Sequence, residues 1–235
     1  MLGKCFYKVF LWNRELFKHV EVELSMAIIS GQELIDIAIL TFAMGYIFSG
    51  FVRKPRDELS RYFARDSWGD IKYAAMIATP AVLLHEFGHK FVGLFYGFDS
   101  VLHISVMGLG IGVILRYIRS PIIFFVPAFV VSTLAVADPA KFAVLALAGP
   151  AANFGLYWLS EWALLSKKWP KYNHAWIMSK KINLILMVIN MIPFGMFDGA
   201  KILAGNISLY FGSLLIGGFL VYKNEQKWKN YVRKF

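Results

Sequence analysis

His85, Glu86 and His89 stand in the run Leu83-Leu84-His85-Glu86-Phe87-Gly88-His89, an H-E-x-x-H pattern in apolar surroundings. On a helix, residues at i and i+4 share one face, so both imidazoles can reach a single metal ion. Glu86 lies beside them, where a zinc hydrolase keeps its general base. The chemistry this suggests is metal-assisted hydrolysis. The plainer alternative is two buried histidines satisfied by their neighbours. That alternative leaves a buried carboxylate unpaired, and ionisable groups inside a membrane mark function by default.

A catalytic zinc ion needs a third protein ligand and one open position. Asp198 is the best candidate. It follows Pro193-Phe194-Gly195-Met196-Phe197 and precedes Gly199, so it lies where an apolar helix breaks and the backbone is free to turn a carboxylate inward. The same position also suits a helix N-cap. His103, near a stretch with strand character, stays open as an alternative ligand, whereas His19 and His174 fall in polar or basic segments. Two asparagines, Asn153 and Asn190, also stand out, and a buried amide must find partners. Each could hold a substrate backbone or an oxyanion, or tie helices across a bundle.

The elements that must position these groups are hydrophobic. Of the 235 residues, 58% are hydrophobic and 17% charged, with mean hydropathy +0.55. The sequence predicts an α-helical membrane protein of about five spans, several of them long enough to cross a bilayer. The expected spans are Leu34–Val52, Ile71–Tyr96, a third from Asp138-Pro139 to about Leu165, Ile182–Ile192 as far as Pro193, and Gly199–Tyr222. Residues 1–33 read as a polar or interfacial segment without a cleavable signal peptide, 34–222 as the membrane domain with a core at 71–203, and 223–235 as a basic tail. Between the second and third spans, Ile104–Leu115 alternates β-branched residues with glycine and favours strands. Ile122–Ala137 is short, carries Pro127, and reads as a broken helix or a second β segment. Phe98–Ala137 is therefore expected to form a small membrane-associated β hairpin or sheet lining the site, since irregular backbone at membrane depth needs protein or a wet cavity beside it. An exposed edge of it could pair with an extended peptide.

Cys5 is the single cysteine, which excludes an intrachain disulfide and a multi-cysteine metal site. The net charge of +10 comes from basic residues clustered at the ends of apolar runs, the pattern of headgroup contact. No stretch interleaves basic and aromatic residues as a single-strand groove would, so no nucleic-acid partner is expected.

Three motifs, taken together, resemble the site-2 protease family of intramembrane zinc metalloproteases. They are His85-Glu86-Phe87-Gly88-His89, Gly149-Pro150-Ala151-Ala152-Asn153, and Asn190-Met191-Ile192-Pro193 through Asp198-Gly199. They span roughly 71–203 in the family's order. The resemblance implies that His85, His89 and Asp198 bind one zinc ion per chain and that Glu86 activates water. It implies too that Asn153 and Asn190 position substrate or intermediate, and that a β region lies between the second and third spans. The substrate would be a transmembrane peptide, and the setting an integral multi-pass protein of a prokaryotic cell membrane. After Asp198-Gly199 the family usually has Gly-Arg, where this chain has Ala200-Lys201. Sixteen of the 25 Lys and Arg residues fall in 53–72, 167–181 and 222–235, one face if the spans alternate. The positive-inside rule makes that face cytoplasmic, the reverse of the family's topology. The competing readings are an inactive zinc-holding membrane scaffold, against which the intact Glu86 argues, and a metal or solute transporter. A transporter would usually show paired repeats, which the sequence lacks.

Overall fold

The computed structural model describes residues 29–55, 68–120, 127–133 and 138–232. The sequence-based expectations for 1–28, including Cys5 and His19, for most of the 57–70 connector, for 121–126 and 134–137, and for 233–235 lie outside the described residues. The described part is mostly helical, with one small antiparallel sheet. In chain order the elements are α1 (Gly31–Phe48), α2 (Trp68–Phe95), β1 (Asp99–Ile104), α3 (Val106–Tyr117), β2 (Ala128–Thr133), α4 (Pro139–Ser166), α5 (Asn173–Asn190), α6 (Asp198–Gly205) and α7 (Ile207–Val232), with a single 3-10 turn at Pro170–Tyr172.

α2 is the central element. It packs against α1, α4 and α5 and against both strands. Leu40, Met44 and Ile47 of α1 meet Ala74, Ile77, Ala78 and Ala81 of α2 in the main core. Small residues let α2 and α4 approach closely, as helix pairs in membranes do. A Cβ on Gly88 would lie 2.6 Å from the Ala148 carbonyl oxygen, so the two backbones are in contact at the level of the histidines. α1 begins with a capping box, in which Ser30 Oγ accepts from Glu33 N and the Glu33 carboxylate accepts from Ser30 N. Among the described residues, two helices, α1 and α4, are long and apolar enough to cross a membrane.

Several expectations change here. Val106–Tyr117 is a helix, not a strand: Ser105 caps it by accepting from Gly108 N at 3.0 Å. The β region is real but is no hairpin. β1 pairs antiparallel with β2, from Asp99↔Thr133 to Ile104↔Ala128, with α3 inserted between them. Strand therefore occupies 128–133 of the ambiguous 122–137 run. The helix expected at 182–192 starts earlier, at Asn173, and the one expected at 199–222 is broken at Asn206 into α6 and α7.

One edge of the sheet is tied to α1. Glu33 Oε1 accepts from Leu102 N at 2.7 Å, and Asp36 Oδ2 from Ile104 N at 3.4 Å. Glu33 also pairs with Lys90, the residue after His89, and both side chains are buried. A buried charge persists where it is paired and hydrogen-bonded. Glu33 thus joins α1, the motif-bearing helix α2 and β1 at one point.

Candidate metal centre

His85 and His89 lie one turn apart on α2, with ring centroids 4.8 Å apart and planes at 87°. Asp198 reaches them from the first residue of α6. The N-cap position belongs to Phe197, and the Asp198 carboxylate turns toward the histidines instead of capping the helix. The chain before Asp198 is held from outside, where Tyr210 donates its hydroxyl to the Met191 carbonyl at 3.0 Å.

His85 Nε2 and His89 Nε2 are 3.2 Å apart, and Asp198 Oδ2 is 3.1 Å from the first and 3.2 Å from the second. Among the described residues, these three form the one cluster of His, Cys, Asp and Glu side chains able to share a metal ion. His85, His89 and Asp198 are each 4–6% exposed. The other ring nitrogens are committed elsewhere. His89 Nδ1 donates to the Leu145 carbonyl at 2.8 Å, and His85 Nδ1 donates to Asn153 Oδ1 at 2.6 Å. Neutral imidazoles so tied put two nitrogen lone pairs and a carboxylate face to face. A proton relieves such contacts only in pairs, whereas a cation relieves all three at once. A tetrahedral zinc with bonds of about 2.0–2.1 Å spaces its ligand atoms about 3.3 Å apart, close to the separations found here.

Gly149 supplies the room. A Cβ on that residue would lie 2.4 Å from His89 Nε2 and 2.6 Å from His85 Nε2, within the space where the ligands converge. Pro150, the next residue in α4, has no N–H to offer the Ala146 carbonyl. The donor set and this cradle fit a zinc ion.

Glu86 is buried on the same helix and lines a cavity of about 460 Å³ that opens from the cluster. Its walls are largely apolar and include Val82, Phe129, Leu145, Ile182, Ile189 and Met196. Asn190, half-buried at the end of α5, also lines it, as do Lys181 and Lys201. Lys201 binds the second oxygen of Asp198, Oδ1, at 3.1 Å. β2 contributes Ala128, Phe129 and Val130 to the cavity wall.

The remaining sequence candidates fall elsewhere. Asn153 is fully buried against His85 and does not line the cavity. His103 sits on β1 beside the Phe129 ring, and His174 hydrogen-bonds Tyr73 at 2.8 Å. Sequence reasoning missed Asn183, which lies seven residues before Asn190 on α5 and so on nearly the same helical face. It missed Gly149 as a spatial requirement, and also the anchoring carboxylate of Glu33.

No family model matches the chain, and no solved structure matches it. Among curated proteins the chain is similar to one of Methanocaldococcus jannaschii named "Putative zinc metalloprotease MJ0611". The two are 29% identical over 180 residues, which cover 75% of this chain and 86% of the relative.

Proposed function

We propose that this protein is a zinc metalloprotease of the site-2 protease type, which hydrolyses a peptide bond in or near a transmembrane segment of a membrane-protein substrate. The observation that carries the reading is the triangle of His85 Nε2, His89 Nε2 and Asp198 Oδ2, with each imidazole anchored through its Nδ1. The zinc metalloprotease name of the Methanocaldococcus relative supports the same chemistry. The apolar helices α1 and α4, which both pack against α2, support a site at membrane depth, in a multi-pass protein of a cell membrane.

His85, His89 and Asp198 would hold one zinc ion, which when bound would supply Lewis-acid polarisation of the scissile carbonyl and acidify water toward neutrality. Glu86, beside the ligands and facing the cavity, takes the proton of the attacking water on its carboxylate and passes it to the leaving amine. Asn153 fixes the ring of His85, the kind of outer contact that orients metal-binding histidines. Asn190, which lines the cavity, holds a substrate backbone in this reading. The apolar cavity accepts side chains from a transmembrane peptide that has unwound locally, and β2 lies along its wall.

The test is metal analysis of the purified protein coupled to cleavage of a model transmembrane peptide in detergent or vesicles. Bound zinc with cleavage is expected. Zinc without cleavage would overturn the protease reading in favour of a scaffold, and metal flux into vesicles would overturn it in favour of a transporter.

A further inference from the structure

We infer that Asn183 is a positioning residue for the metal ligand His85, acting through Asn153 to keep the metal-facing nitrogen free of a proton. The inference rests on the zinc site proposed above. Asn183 is 1% exposed and Asn153 is fully buried, each on a different helix from His85.

Two backbone carbonyls, those of Ser179 and Ala81, can only accept hydrogen bonds and so fix the network's direction. Asn183 Nδ2 donates to Ser179 O at 2.9 Å and to Ser179 Oγ at 3.3 Å. Its nitrogen is thereby fixed toward its own helix, and its Oδ1 faces Asn153. Asn153 Nδ2 donates one proton to Ala81 O at 2.8 Å and the other to Asn183 Oδ1 at 2.9 Å. With both protons engaged, Asn153 presents only Oδ1 to His85, and His85 Nδ1 must donate to it. The neutral ring then carries its lone pair on Nε2, toward His89 and Asp198.

The reversed Asn153 amide would donate to His85 Nδ1. That would move the ring proton to Nε2 and block ligation there. Asn183 and the Ala81 carbonyl are the two locks against this reversal. In an apolar interior, losing one lock also leaves an Asn153 proton unpaired, which is costly.

The experiment measures zinc affinity of the full chain in detergent by chelator competition, for the wild type, Asn183→Ala, Asn183→Asp, Asn153→Leu and Asn153→Leu/Asn183→Ala. Asn183→Ala should weaken zinc about tenfold, the low end for loss of an outer contact. Asn183→Asp, kept as the neutral acid by burial, still donates to Ser179 O and keeps an oxygen toward Asn153, so it should stay near the wild type. In the Asn153→Leu background, Asn183→Ala should cost almost nothing further, because residues acting in one path are not additive. A general structural role would instead give the same loss in both backgrounds, and that result would overturn the inference. Wild-type affinity in Asn183→Ala would overturn it as well. A wild-type protein that binds no zinc would overturn the metal site itself, which is a separate failure.

Discussion

Gly149→Ala adds one carbon where the three ligands meet. That carbon would lie 2.4 Å from His89 Nε2 and 2.6 Å from His85 Nε2. Ordinary carbon contacts are about 3.5 Å, so each imidazole is overlapped by about 1 Å. Moving the helices apart would open the close packing of α2 on α4 at Gly88 and Ala148. The rings cannot swing away without breaking the bonds from His85 to Asn153 and from His89 to Leu145. Overpacking typically costs about 1–3 kcal/mol, and here it acts on two ligands at once; at about 3 kcal/mol the zinc dissociation constant rises about 150-fold. Alanine is a better helix former than glycine by up to about 1 kcal/mol, so α4 itself should not suffer. Gly155→Ala, in the same helix with open space around the added carbon, is the control and should bind zinc as the wild type does. Chelator competition on purified protein reads both. If Gly149→Ala binds zinc as tightly as the wild type, the metal does not lie between these histidines.

Two further outcomes follow from the same geometry. Glu33→Gln keeps an acceptor for Leu102 N but strands the buried ammonium of Lys90, so unfolding stability should fall by about 3–5 kcal/mol. Adding Lys90→Met should restore more than half of that loss in thermal or denaturant unfolding, and no restoration would mean that the pair is not what joins α1, α2 and β1. Zinc that binds only the folded protein raises its stability, by about 2.7 kcal/mol at a hundredfold excess over the dissociation constant. A chelator should therefore lower the melting temperature of the wild type and leave that of Gly149→Ala nearly unchanged.

The His85, His89 and Asp198 cluster was more legible in the sequence than the fold was. His85, Glu86 and His89 are local, so their spacing on one helix face could be read directly. Asp198 was readable because the proline and glycine around it interrupt an apolar run. The roles of Asn183 and Glu33 beyond their own helices were not, because they rest on contacts many residues away, with Asn153 on α4 and with Lys90 and Leu102. The strand expected at 104–115 failed for a physical reason. Its β-branched residues and glycines suit a strand in isolation, but Ser105 caps a helix there, and strand pairing is taken by 99–104 and 128–133 on either side. β propensity is a weak guide where tertiary pairing decides.

The central claim is that Glu86 moves the proton at a zinc site held by His85, His89 and Asp198. Its most direct test compares the wild type with Glu86→Gln in vesicles carrying a transmembrane peptide substrate, with zinc content and cleavage measured on the same preparations. Equal zinc in both proteins and cleavage by the wild type alone are expected. Cleavage by Glu86→Gln at the wild-type rate would contradict it.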